Sequence, residues 1–162
     1  MTGGRLLLED RTSGAGAVCR EILAALPGWF GIAESVDEYV SACDRSPTVV
    51  GVLDGSPVGV LNVQLHSPHA AEIVVMAVVP GEHRRGIGTA LLRHAESGLV
   101  ERGVEYLQVK TLSARRDDAG YERTRAFYFA SGFRVLEESP VLFDAENPAV
   151  QLVKALPSRP RA

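Results

Sequence analysis

Glu72-Ile73-Val74-Val75-Met76-Ala77-Val78-Val79-Pro80-Gly81-Glu82-His83-Arg84-Arg85-Gly86-Ile87-Gly88-Thr89-Ala90-Leu91-Leu92 is the stretch on which the fold turns. Glu72–Val79 is apolar on both faces, the pattern of a central strand covered from each side. Pro80 ends it, because proline has no N–H for the ladder. A glycine-bearing turn follows. Leu91, Leu92, Ala95 and Leu99 then line one side of a helix that Gly103 closes. Val104–Leu112 reads as the next strand, so strand, helix and strand form a βαβ unit with a right-handed crossover and parallel strands.

Upstream, Thr48–Leu53 and Val58–Leu65 alternate as strands around Asp54-Gly55-Ser56-Pro57, a hairpin signal, and Ser67-Pro68 turns the chain again. Arg5–Glu9 opens a sheet. Ala15, Val18, Ile22, Leu23 and Leu26 recur at helical spacing until Pro27-Gly28. Ser35 with Glu38 reads as a capping box, and Val36, Tyr39, Val40 and Cys43 continue an apolar face. The loop Pro27-Gly28-Trp29-Phe30-Gly31 joins these two helices. Downstream, Tyr121, Thr124, Phe127 and Tyr128 mark a helix ended by Gly132, before the strands Phe133–Glu138 and Ala149–Leu156. The expected architecture is α/β, a mixed and mostly antiparallel sheet of about seven strands with one parallel crossover and about four helices. It is expected to form a single domain over residues 1–156, with 157–162 a disordered tail.

Composition narrows the function. Of 162 residues, 46% are hydrophobic and 23% charged, which suits a folded domain and not a disordered chain. Seventeen basic against 20 acidic residues leave a net charge of −3, which argues against a dedicated nucleic-acid binder. The longest apolar run, Ile73–Val79, falls far short of the roughly 20 residues that span a bilayer. The N-terminus shows no basic flank before a long apolar stretch, so no secretory signal is read. Two cysteines are too few for a disulfide scaffold or a four-ligand zinc site. A soluble, cytoplasmic protein with no nucleic-acid or membrane partner is expected.

Gly86 and Gly88 let the backbone approach a ligand at a helix start, where free N–H groups and the helix dipole favour phosphate oxygens. Arg84 and Arg85 add positive charge, and Thr89 offers a hydroxyl. A P-loop is excluded because Ile87-Gly88-Thr89 lacks its lysine. A dinucleotide fingerprint is excluded because Leu91 stands where a third small residue belongs.

The turn resembles the acetyl-CoA signature Gln/Arg-x-x-Gly-x-Gly/Ala of the GNAT N-acetyltransferase superfamily, with His83 at the Gln/Arg position. The likeness runs from about Thr48 to Phe133. It includes Met76-Ala77-Val78-Val79-Pro80 before the turn and Thr124-Arg125-Ala126-Phe127-Tyr128 with Gly132-Phe133 after it. Tyr121 stands where many members have asparagine, and Tyr-x-x-Thr-Arg-x-Phe-Tyr looks like a recurring variant of the second conserved region. The resemblance implies the GNAT fold, acetyl-CoA as cosubstrate and no metal. It places the diphosphate on backbone N–H groups of Arg84, Arg85, Gly86, Ile87, Gly88 and Thr89, and the pantetheine arm along Ala77, Val78 and Val79. Dimers are common in the family, so a homodimer is among the expectations.

Acetyl transfer to an amine needs an acceptor stripped of a proton, donors for the oxyanion and a proton for the departing thiolate. Glu72, eleven residues before His83, matches the general-base glutamate of histone-type members, and its apolar neighbours Ile73 and Val74 are expected to raise its pKa. Tyr128 resembles the family's general acid, a phenol protonated at neutral pH. In the family the loop carrying Trp29 and Phe30 borders the acceptor pocket, although core anchoring explains these aromatics equally well. The implied activity is N-acetylation of a primary amine by direct attack in a ternary complex. The alternative is a non-catalytic acyl-CoA-binding module.

The remaining candidates read blandly. His66, His69 and His94 are expected to be solvated, with no carboxylate–cysteine cluster completing a metal site. Cys19 and Cys43 sit on apolar helix faces as buried thiols. Arg115, Arg116, Asp117 and Asp118 read as a solvated loop, and Arg125 pairs with either a CoA phosphate or an acidic neighbour. Glu34, Asp37 and Glu38 hint at a cationic acceptor, with capping and solvation an equal explanation.

Overall fold

The computed structural model describes residues 3–30, 32–144 and 146–161; Gly31 of the first loop and Ala162 of the tail lie outside them. In chain order the elements are β1 (Leu6–Arg11), α1 (Gly16–Ala24), α2 (Ala33–Arg45), β2 (Thr48–Leu53), β3 (Ser56–Leu65), β4 (Ala70–Val78), a 3-10 turn (Pro80–Glu82), α3 (Ile87–Glu101), β5 (Tyr106–Leu112), α4 (Ala119–Ala130), β6 (Arg134–Asp144) and β7 (Asn147–Ala155). The strands form one seven-stranded sheet in the order β1-β2-β3-β4-β5-β7-β6. β4 and β5, joined through α3, are its parallel pair, as the βαβ reading requires. The chain divides into two compact units, residues 1–64 with 73–99, and residues 65–72 with 100–162.

The first unit is built on a β-branched hairpin. Leu53 pairs with Ser56 across Asp54-Gly55, and β1 adds antiparallel to β2. One face of this sheet, with Val50, Val52, Val60, Val75 and Ala77, packs with Cys19, Ile22, Leu23 and Cys43 of α1 and α2. Each fully buried Ile or Leu there contributes roughly 1.5–3 kcal/mol. α3 covers Gly59 of β3, where a Cβ would lie 2.9 Å from Leu91 Cδ1 and 3.3 Å from Ile87 Cγ2. Glycine at that position therefore sets how closely the helix seats on the strand. α1 has no capping side chain of its own. Asp44 at the end of α2 supplies one, its Oδ1 accepting from the Gly16 N–H at 2.8 Å.

The second unit centres on β5, β7 and β6. β5 pairs antiparallel with β7 from Tyr106↔Ala155 to Leu112↔Ala149, and β6 lies along the other edge of β7. Asp118 caps α4, its Oδ1 accepting from the Tyr121 N–H at 3.1 Å. Arg125, only 8% exposed, donates from Nη1 to the Leu112 carbonyl at 2.7 Å and ties α4 to the end of β5.

Several local expectations are corrected. The capping box at Ser35 and Glu38 does not form. Ile32 stays extended and α2 begins at Ala33 with no side-chain cap bond, which puts both residues inside the helix. β6 runs on to Asp144, well past Glu138. It is an edge strand whose register breaks between Ser139 and Asp144, so the missing N–H of Pro140 is tolerated there. The charged run 115–118 is not merely solvated: Asp118 is a cap and Arg115 Nε pairs with Glu138 at 3.2 Å. Arg125 meets the Leu112 backbone carbonyl and not an acidic neighbour.

Candidate active site

Strand, turn and helix place the glycine motif in the first unit as expected, and the turn's shape follows from two left-handed residues. Arg84 has φ 62° and Gly86 φ 78°. Alternation of left-handed residues with ordinary ones turns successive N–H groups toward one side, a concavity suited to an anion. The first intrahelical bond at this end joins the Ala90 N–H to the Gly86 carbonyl at 3.0 Å. The N–H groups of Ile87, Gly88 and Thr89 precede the helix's own ladder, and the positive end of the α3 dipole reinforces them. Arg84 is exposed, whereas Arg85 is ion-paired with Glu82.

His83 does more than occupy a variable position. Its Nε2 donates to the Val78 carbonyl at 2.6 Å, and its ring meets Trp29 edge-on with centroids 6.2 Å apart. The turn is thus tied back to β4 and to the first loop by one side chain. The Val79 N–H donates to the Val58 carbonyl at 2.9 Å. Of the groups expected to meet a pantetheine arm, the Val78 carbonyl and the Val79 N–H are therefore engaged within the protein, and the Ala77 side chain is in the core.

Trp29 and Phe30 diverge. Both are partly buried against the core, so anchoring is part of their role. Phe30 stacks edge-on against Tyr39 at 5.8 Å and lines a cleft of about 300 Å³ with Leu23, Val36 and Asp37. Asp37 is paired with Arg20 at 2.8 Å, so its charge is already met. Below them Cys19 and Cys43 are completely buried. The hydrogen bond between them pushes the Cys19 thiol far above its ordinary range, aided by burial, and lowers that of Cys43; it is their complete enclosure that keeps both from acting as nucleophiles.

In the second unit the two catalytic candidates have contrasting surroundings. Glu72 is not wrapped by apolar side chains, as its sequence neighbours suggest. Its Oε2 lies 2.5 Å from Nε2 of His66, and its Oε1 accepts from Nζ of Lys110 at 3.1 Å. The glutamate side chain is 13% exposed, against 39% for His66 and 32% for Lys110. His69 is solvent-exposed as expected, with its Nδ1 3.1 Å from Oε2 of the equally exposed Glu105. Tyr128 is buried in an aromatic cluster, with Phe133 at 5.2 Å and Phe127 at 5.4 Å. Burial pushes its phenol up from the ordinary value, so the proton is firmly held at neutral pH.

Lys110 is the residue that sequence reading missed. Leu107, Val109 and Thr111 point into the core, which sends Lys110 to the opposite face of β5. A lone lysine in an apolar strand was the available signal. Only the parallel pairing of β4 with β5 could show which carboxylate it meets.

Residues 18–133 match the Acetyltransferase (GNAT) family, and the chain belongs to it. Its fold is shared with the ribosomal-protein-S18-alanine N-acetyltransferase of Escherichia coli, at 18% identity over 97% of each chain with a TM-score of 0.75. The IAA acetyltransferase of Bacillus cereus is 22% identical over 94% of this chain and 100% of its own, with a TM-score of 0.70. A GNAT family acetyltransferase of Elizabethkingia anophelis, solved with acetyl-CoA bound, is 15% identical over 93% of this chain and 98% of its own, with a TM-score of 0.72. No curated protein matches the chain. Among the described residues no group of three potential metal ligands gathers, and no helix is long and apolar enough to cross a membrane.

Proposed function

We propose that the chain is an acetyl-CoA-dependent N-acetyltransferase acting on a primary amine by direct attack in a ternary complex. The observation that carries the reading is the left-handed turn at Arg84 and Gly86 opening onto the start of α3, within a family match that spans both conserved regions. That turn fits a diphosphate, because its N–H groups and helix dipole are supplied by backbone and stay in place whatever side chains surround them. Acetyl-CoA, the cosubstrate seen with the Elizabethkingia relative, would supply an acetyl thioester.

The chain's own residues supply the proton movements. Arg84 to Thr89 hold the diphosphate, and the remaining backbone groups of Ala77–Val79 guide the arm. Glu72 removes a proton from the acceptor ammonium, directly or through a water, since an ammonium has no lone pair with which to attack. Tyr128 keeps its proton at neutral pH and gives it to the departing thiolate. Trp29 and Phe30 shape the acceptor side. The Tyr121-x-x-Thr124-Arg125-x-Phe127-Tyr128 pattern is a subfamily variant on this reading. We place the protein in the cytoplasm as one domain over 1–156 with a loose tail beyond, a homodimer in the family manner, bound to neither nucleic acid nor membrane.

The test is thermal unfolding with and without acetyl-CoA, followed by thiol release with a panel of amines. Stabilisation with thiol release supports the enzyme. Stabilisation with no release from any amine would leave a non-catalytic acyl-CoA-binding module.

A further inference from the structure

Resting on that reading, we infer that His66 is a proton relay acting through Glu72, with Lys110 orienting the carboxylate between them. Acetylation of an ammonium by a thioester yields an amide, a thiol and one surplus proton. The ammonium nitrogen gives up two protons, the thiolate takes one, and one must reach solvent in every turnover. Glu72, at 13% exposure, is poorly placed to release it directly. His66 touches the same carboxylate at 2.5 Å and is 39% exposed, so its imidazole links the enclosed oxygen to bulk water.

The two oxygens of Glu72 have different partners, which gives the arrangement a direction. Lys110 Nζ holds Oε1 at 3.1 Å, and this turns Oε2 toward His66. Each oxygen keeps further acceptor capacity, through which the amine proton arrives. The step balances as follows. Glu72 takes the proton and passes it from Oε2 to Nε2 of the Nδ1–H imidazole. The half-exposed imidazolium then turns its Nε2–H to water, releases that proton there and returns as the neutral Nδ1–H tautomer. Among the described residues the imidazole is paired with Glu72 on β4, which Lys110 on β5 holds from its other oxygen, while His69 farther along the turn pairs with Glu105 just before β5.

A purely structural role for the imidazole is poorly supported, because the β3–β4 turn is closed without it. The His66 N–H donates to the Ala70 carbonyl at 2.9 Å, and Ser67 Oγ accepts from the N–H groups of His69 and Ala70 at 3.2 and 3.1 Å. His66→Gln and His66→Ala should both fold. Gln keeps an N–H for Glu72 but carries no proton onward, so it separates holding from relaying.

The experiment measures steady-state thiol release with acetyl-CoA and three acceptors: a lysine-bearing peptide, a peptide with a free α-amine, and spermidine. For the best acceptor, kcat should fall about tenfold in both variants with the KM for acetyl-CoA unchanged, and imidazole added to His66→Ala should restore rate in proportion to its concentration. Wild-type kcat in His66→Gln, or a loss in His66→Ala that ignores added imidazole, overturns the relay while the acetyltransferase stands. No thiol release by the wild-type protein with any of the three acceptors removes both readings together.

Discussion

The turn at residues 84–89 and the cluster around Glu72 are built in opposite ways. The turn is contiguous and made of backbone, with its direction set by two left-handed residues and a helix start. The cluster is made of side chains from separate elements, His66 before β4, Glu72 on β4 and Lys110 on β5, brought together by strand pairing. A backbone site tolerates exchange of its side chains and fails when its dihedral angles are blocked. A side-chain site tolerates small backbone shifts and fails on loss of one proton-carrying atom. Binding should therefore respond to changes in the first region and turnover to changes in the second.

The largest effect is expected at Glu72→Gln, which keeps the shape and removes the carboxylate proposed as the base. Its kcat should drop about 10³-fold with acetyl-CoA affinity unchanged, as read by steady-state kinetics beside calorimetry. Tyr128→Phe comes next, with kcat falling about 10²-fold and cofactor binding barely altered. Unchanged turnover in that variant would make Tyr128 only a packing residue of the Phe127–Phe133 cluster. Gly86→Val attacks the other region. A β-branched residue at φ 78° costs about 1–2 kcal/mol, so the Kd for acetyl-CoA should rise about tenfold while kcat at saturation holds. A Gly86→Val variant that lost kcat but bound normally would break the division between the two regions.

The smallest effect is a pH dependence of stability. The folded state holds the Tyr128 phenol neutral by burial, with its pKa raised above the unfolded value. The contribution is complete below the unfolded pKa of about 10. Above it the unfolded chain ionises first and binds fewer protons than the native state. Stability then falls by up to about 1.4 kcal/mol per pH unit, until the folded phenol titrates as well. Denaturant melts between pH 9 and 11 should show this slope in the wild type and a shallower one in Tyr128→Phe.

Legibility followed the same division. The strand, turn and helix from Glu72 to Leu92 could be read directly, because periodicity, Pro80 and the glycine spacing are all local signals. The hairpin at Asp54-Gly55 was legible for the same reason. The capping box at Ser35 misled because Ile32 stays extended and the helix already begins at Ala33, which puts Ser35 inside it. The environment of Glu72 was misread because Ile73 and Val74 adjoin it in sequence, whereas Lys110 and His66 adjoin it in space. Arg125 was undecidable from sequence, since its partner is a backbone carbonyl with no residue-type signature.

The seating of Cys19 and Cys43 has a practical corollary. Both thiols are wholly enclosed where α1 meets α2, and the chain has two cysteines in all. A colorimetric thiol reagent mixed with the native protein will register any coenzyme A liberated in the proposed reaction against a silent protein background. Slow protein labelling by the same reagent then becomes a clock for transient parting of those helices, measured without any engineered probe.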